Sequence, residues 1–252
     1  MMLSNPDCIF MMILNNNILI SIIKELEIIY QDEYLVAVNK PHGLLVHRTK
    51  LSNERNLFAL QILRDQLNRH VFPVHRLDRK TSGVLLFALD QDNNRQMQLN
   101  FSLGEVNKKY LAIVRGYCNE EGIINYPVRK ENGRLAEALT IFNTIEKVEI
   151  DIPSGPHRTS RYSLVEVFPK TGRMHQIRMH FSHISHPIIG DRPHGCQIQN
   201  RLFKNKWNMT SMMLHAEELS FSHPVSGEKM KIKAALHNEF KETIRILGFR
   251  PH

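Results

Sequence analysis

A chain of 252 residues that is 42% apolar and 23% charged has the material for a sizeable folded core, which excludes a disordered polymer. Lys and Arg outnumber Asp and Glu by 33 to 25, and this surplus of 8, with a pI near 9.5, favours an anionic partner, of which nucleic acid is the commonest large one. Cys8, Cys118 and Cys196 are too far apart to form a CxxC pair, which argues against a zinc knuckle or a disulfide framework and fits a reducing cytoplasm.

Residues 1–24 differ from the rest. They carry no positive charge before Lys24, so they lack the basic start of a secretory signal. Their apolar runs, 8–14 and 18–23, are separated by Asn15-Asn16-Asn17, and neither approaches the roughly 20 residues needed to span a bilayer. They are expected to be a poorly defined extension, or sequence upstream of a later start at Met11 or Met12, and not a membrane anchor. From Leu26 the pattern turns to strands with occasional helices. Runs 26–30 and 34–39 predict a hairpin around Gln31-Asp32-Glu33, and Lys40-Pro41-His42-Gly43 predicts a turn. Asn53 is placed to cap a helix to Leu67, with Leu57, Leu60, Leu63 and Leu67 at helical spacing.

Residues 84–89 (VLLFAL) predict a strand buried on both faces, followed by a helix to about Leu103 capped by Asp90 or Asp92. Strands are predicted at 108–116 and 160–168, and a mostly helical stretch from Gly172 to about Ser185. Runs 212–221 and 229–234 predict a second hairpin about His223-Pro224-Val225-Ser226-Gly227. Phe240, Ile244 and Leu247 predict a closing amphipathic helix. Residues 129–156, with mixed charges and Pro153-Ser154-Gly155-Pro156, read as an insertion. Many strands and few helices, without βαβ alternation, define an α+β chain.

Two stretches carry chemistry. In His75-Arg76-Leu77-Asp78-Arg79-Lys80-Thr81-Ser82-Gly83, a carboxylate sits among cations on a loop that feeds the buried strand. Such a setting suits an ionised, nucleophilic aspartate. An aspartate held in a turn by Ser, Thr and Arg is the competing reading. In Lys170-Thr171-Gly172-Arg173-Met174-His175-Gln176-Ile177-Arg178-Met179-His180, Arg and Gln offer forked donors to phosphates and base edges. His175, His180, His183 and His186 lack the HExxH arrangement and any interleaved carboxylate, so polar packing and RNA contacts are expected of them in place of metal ligation. Tyr110, on a strand that begins with two lysines, is either a half-buried strand aromatic or a platform for an unstacked base.

Taken in order along the chain, these stretches resemble the RluA-type family of pseudouridine synthases, over about residues 26–247. The matching segments are 32–43 (DEYLVAVNKPHG), the Asp78 loop 75–83, Lys109-Tyr110, 171–180, 186–191 (HPIIGD), and 214–219 (LHAEEL) followed by His223-Pro224. Within the family the chain is most similar to the TruC type, which acts on uridine 65 of tRNA, through 158–172 (RTSRYSLVEVFPKTG) and 186–195 (HPIIGDRPHG). The resemblance implies a catalytic domain over residues 25–252, with a mixed, largely antiparallel sheet, flanking helices and a central RNA-binding cleft. It implies catalytic roles for Asp78 as nucleophile, Tyr110 against the uracil and Arg178 paired with Asp78. Arg76, Arg173, His175 and Gln176 would contact the RNA. A tRNA partner, no metal or other cofactor, no membrane and a monomer complete the expectation. A ribosomal RNA target, or a non-catalytic RNA-binding protein on the same scaffold, are the alternatives.

Overall fold

The computed structural model describes residues 24–47, 58–130 and 132–250. The first expected hairpin is β1 (Glu27–Gln31) and β2 (Leu35–Lys40). Asp32 holds its turn, accepting at Oδ1 from the amides of Tyr34 and Leu35, both at 2.7 Å. α1 (Ala59–Leu67) buries Ala59, Ile62 and Leu63 and stops at Asn68 in a left-handed conformation; Asn53 lies outside the described residues. β3 (Phe72–Pro73) leads through the Asp78 loop into β4 (Ser82–Ala88), which is buried at every position, as its continuous apolar run predicts. Alternate side chains of β2 and β4 serve opposite cores. Val36, Val38, Leu85 and Phe87 pack with α1, and Leu35, Ala37, Val84 and Leu86 pack on the other face.

Of the two candidate caps, Asp90 starts α2 (Gln91–Leu103), its Oδ1 accepting from Asn93 N at 2.8 Å. β5 (Asn107–Arg115), β10 (Ser160–Pro169), β11 (Leu214–Ser222), β12 (Lys229–Lys233) and α5 (Asn238–Leu247) follow the predicted segments closely. The sheet runs β1-β2-β4-β11-β5-β10-β9-β6, where β9 is Leu139–Ile150 and β6 is Glu121–Asn125, with β12 on β11 and β3 on β4. All of its pairings are antiparallel except β4 with β11. That is the mixed, largely antiparallel α+β sheet expected. Among the described residues, no helix is long and apolar enough to cross a membrane.

Three expectations need correction. Residues 129–156 are no insertion. After a two-strand flap, β7 (Val128–Arg129) with β8 (Leu135–Ala136), they supply β9 (Leu139–Ile150), which bonds along β10 from Thr140 to Ile150 and carries β6 (Glu121–Asn125) on its other edge. Glu146, Lys147 and Glu149 on β9 obscured its period, while Thr140 and Phe142 face the core. The predicted helix from Gly172 contracts to α3 (Gln176–His183), because the Gln176 side chain folds back onto the preceding turn. α4 (Gln197–Trp207) was not foreseen; its Gln, Asn and Lys content hides a face that buries Gln199 and Phe203.

Strand register positions the site. Lys40 of β2 lies opposite Gly83 of β4, Gly83 opposite Ala216 of β11, Ala216 opposite Tyr110 of β5, and Tyr110 opposite Val167 of β10. One row across five strands thus joins the end of the Asp78 loop to Tyr110. Only glycine fits at position 83. Its φ is +110°, and a Cβ there would stand 2.1 Å from the Ala216 carbonyl oxygen.

Candidate active site

The Asp78 loop is fastened by a buried lysine, a reciprocal pair of bonds between Gly43 and Arg79, and a stacked histidine. Lys40 is fully buried, and its Nζ donates to the carbonyls of Pro41 at 2.8 Å, Leu44 at 2.9 Å and Arg79 at 3.2 Å. An ammonium has three protons to give, and each finds an acceptor. Burial pulls the Lys40 pKa down to about 7, opposed by the Asp78 charge. Gly43 N donates to Arg79 O, and Arg79 Nε donates back to Gly43 O, both at 2.8 Å. The turn predicted at Lys40-Pro41-His42-Gly43 is therefore a clamp on the Asp78 loop. At the loop's start, His75 Nε2 accepts from Leu86 N at 3.0 Å and the ring stacks on Phe101, 4.9 Å between centroids. Burial, aided by the Lys108 charge, pushes the His75 pKa down to about 3, so the ring serves as a neutral acceptor.

Asp78 sits at the floor of a cavity of about 690 Å³, with its side chain 19% exposed. Arg178, from α3, donates through Nη1 to Asp78 Oδ2 at 2.9 Å. The rest of its guanidinium is held by Asp191, with Nε to Oδ2 and Nη2 to Oδ1 both at 2.8 Å. Burial opposes the Arg178 charge, yet the bonds and charge of Asp191, then those of Asp78, raise its pKa above the ordinary arginine value. Tyr110 lines the same cavity and is half buried. Burial first, and the Asp78 charge second, push its phenol well above the usual tyrosine value, so at neutral pH it is uncharged. His175, in a left-handed conformation at the cap of α3, places Nε2 3.9 Å from Asp78 Oδ2 and Nδ1 3.1 Å from His194 Nε2. Burial lowers the pKa of both rings.

Arg76 and Arg173 are exposed at the rim, and both line the main cavity and a second one of about 410 Å³ that also takes in Arg129 and Lys130. Lys108 and Lys170 extend the basic wall. Gln176 is different. It is 3% exposed, its amide donates to Leu139 O and Thr140 Oγ1 at 3.0 Å, and its carbonyl accepts from Thr171 Oγ1 at 2.7 Å and Arg173 N at 3.0 Å. Every hydrogen-bonding position of this side chain is occupied within the protein. The histidines at 180, 183 and 186 lie apart. His180 bonds Thr140 Oγ1 and Tyr126 O, His183 stacks on Tyr126, and His186 meets Arg115 O.

Sequence reasoning missed two residues of this site. Lys40 ends an apolar strand just before a proline, and Asp191 follows the apolar Ile188-Ile189-Gly190. An ionisable side chain bordering a buried run was the available signal in both cases.

A carboxylate paired with a buried guanidinium, in a basic cleft that an aromatic ring also lines, fits an enzyme that acts on RNA. Residues 34–183 match the model of the RNA pseudouridylate synthase family, and the chain belongs to that family. Among its curated relatives, tRNA pseudouridine synthase C of Haemophilus ducreyi is 46% identical over 235 residues, covering 89% of this chain and 97% of that protein. The protein of the same name from Vibrio parahaemolyticus is 45% identical over 229 residues, covering 86% and 93%. The solved structure of human RNA Pseudouridylate Synthase Domain Containing 4 covers 88% of this chain and 93% of its own, with a TM-score of 0.68 at 25% identity. Human RNA Pseudouridylate Synthase Domain Containing 1, at 23% identity and a TM-score of 0.67, has the same fold.

Proposed function

We propose that this protein converts one uridine of tRNA, that at position 65, to pseudouridine in the cytoplasm, with Asp78 as the nucleophile. The observation that carries this reading is the Asp78–Arg178 pair at the floor of a basic cavity that also holds Tyr110. The relatives named above are called tRNA pseudouridine synthases, which supports tRNA as the substrate class. Asp78, Tyr110 and Arg178 all lie in one copy of the chain, so the reaction as proposed calls for no second copy.

The target nucleotide is flipped from its stack, because its glycosidic bond is out of reach while the base is stacked. Asp78 then attacks either C1′ of the ribose or C6 of the uracil. The N1–C1′ bond breaks, the uracil turns and C5 bonds to C1′. The bond to Asp78 breaks in turn, by displacement at C1′ or elimination from C6, which returns the carboxylate; C5 loses its proton and N1 gains one. Substrate and product are isomers, so the balance requires no oxidant and no group donor. Tyr110 presents its ring face to the uracil, and its neutral phenol can relay the C5 proton, accepting it at Oη as its own proton passes to solvent. Arg76 and Arg173 take the phosphates, with Arg129 and Lys130 continuing that wall. His175 lies beside Asp78 and contacts the flipped nucleotide. Gln176 serves by fixing the turn that presents Arg173 and His175.

Incubation with unmodified tRNA, followed by nucleotide-resolution chemical mapping, tests the reading. The expected result is one pseudouridine, at position 65, with release of tritium from C5-labelled uridine. Modification of ribosomal RNA alone would move the substrate assignment, and binding without tritium release would remove the catalytic one.

A further inference from the structure

Asp191 takes no direct part in the reaction outlined above, yet it is 1% exposed and makes two of the three bonds that Arg178 donates to carboxylates. We infer that Asp191 is a positioning residue, which aims Nη1 of Arg178 at Asp78 and keeps that guanidinium compensated when Asp78 loses its charge. The inference rests on the reading of Asp78 as nucleophile.

Two parallel bonds of 2.8 Å, from Nε and Nη2, fix both the plane and the rotation of a guanidinium. Nη1 then has one direction left, and Asp78 Oδ2 lies along it at 2.9 Å. The backbone bearing Asp191 is itself immobilised. Asn200 of α4 grips both sides of the peptide, its Oδ1 accepting from Gly190 N at 2.8 Å and its Nδ2 donating to Asp191 O at 2.6 Å. Just before it, Ile189 N donates to Ile113 O of β5 at 3.0 Å, and Met213 N donates to Ile189 O at 2.8 Å. Gly190, at φ +79°, passes so close to residue 211 that a Cβ would stand 1.9 Å from the Ser211 carbonyl oxygen. α4 is thereby linked to the nucleophile through Asn200, Asp191 and Arg178.

Charge supplies the second half of the argument. When Asp78 attacks, an electron pair of its carboxylate oxygen forms the new C–O bond, and the negative charge passes to the uracil. Arg178, only 5% exposed, would then be a buried cation without a partner if Asp78 were its sole carboxylate. Asp191 keeps it paired before and after attack, so formation of the covalent intermediate does not orphan a charge.

The test measures single-turnover pseudouridine formation at saturating protein, beside RNA affinity and thermal stability. Asp191→Glu keeps the buried charge but displaces the fork by a methylene. It should fold, bind RNA within about threefold of the unaltered protein, and react about a hundredfold more slowly, as expected for a misplacement of about 1 Å. In an Arg178→Lys background, which has no fork to aim, the same change should cost less than about threefold more. Asp191→Asn should be slower still than Asp191→Glu. The inference is overturned if Asp191→Glu keeps its rate, if its loss is undiminished in the Arg178→Lys background, or if it fails to fold, which would make the carboxylate a stability group. Asp78→Asn, measured alongside, judges the nucleophile separately: its turnover would remove that reading whatever Asp191→Glu does.

Discussion

The arginines at the floor of the cleft and those at its rim are the same residue type in opposite circumstances. Arg178 is buried between two carboxylates and has its geometry dictated. Arg76 and Arg173 are exposed beside two cavities, and their main chemical asset is a charge that water screens. On the function proposed above, the contrast separates chemistry from capture. Interior charges should act on kcat, and rim charges on affinity and its salt dependence.

The largest effect should come from Asp78→Asn, which lowers pseudouridine formation by at least about a thousandfold. Its side chain remains near-isosteric and able to accept from Arg178, so melting temperature and RNA affinity should stay close to those of the unaltered protein. Next is Arg178→Met. It should also lose most activity but, unlike Asp78→Asn, destabilise the fold by about 3–5 kcal/mol, because Asp191 would be left buried and unpaired. Equal melting temperatures for the two variants would break the distinction between aimed interior charges and the nucleophile they serve.

Rim substitutions should be milder. Arg76→Ala and Arg173→Ala are expected to weaken RNA binding by about tenfold or less while leaving the rate at saturation within about threefold. Each should reduce the salt slope of log affinity by about 0.7 to 0.9. A rate loss at saturation with unchanged salt slope would move that arginine from the rim to the chemistry.

The last expected effect is on stability and concerns pH. His42 and His75 are held near a pKa of about 3, and His237 near about 4, by burial in each case first. These folded values lie below the ordinary histidine value, so the unfolded chain binds more protons between about pH 4 and 6.5. The stability they contribute is present above pH 6.5 and is lost as pH falls toward the folded values. Each group adds up to about 1.4 kcal/mol per pH unit in that window. Melting curves from pH 7 to pH 5 should show the decline, and His75→Gln should flatten it. A slope unchanged by His75→Gln would mean that this ring is not neutral in the folded protein.

Much of the fold was legible wherever a local period matched the final environment. The run at 84–89 announced a strand buried on both faces, and Phe240, Ile244 and Leu247 announced the buried stripe of α5. The period failed where the environment was two-natured. β9 joins core residues to a charged outer edge, and α4 is a polar helix whose buried face includes Gln199, bonded to Tyr162 Oη and Ser154 Oγ. For the site, a reactive-looking loop around Asp78 and a donor-rich segment around Arg178 were visible as residue types. Their motif order supplied the resemblance that linked them. That Gln176 faces inward to four internal partners was not visible, because an amide reads the same whether its partner is RNA or protein.

By itself, then, the sequence determined the class of fold, the family resemblance and the residue types of the two stretches that meet in the cavity. These rest on local propensity, side-chain chemistry and motif order, all carried along the chain. Only tertiary structure decided how the charges are shared. Asp78 and Arg178 stand 100 residues apart, and Asp191 lies 13 beyond Arg178, on a segment held by Asn200 and β5. Partnership among buried charges depends on ångström distances and exclusion of water, and neither is a property of any one stretch of chain.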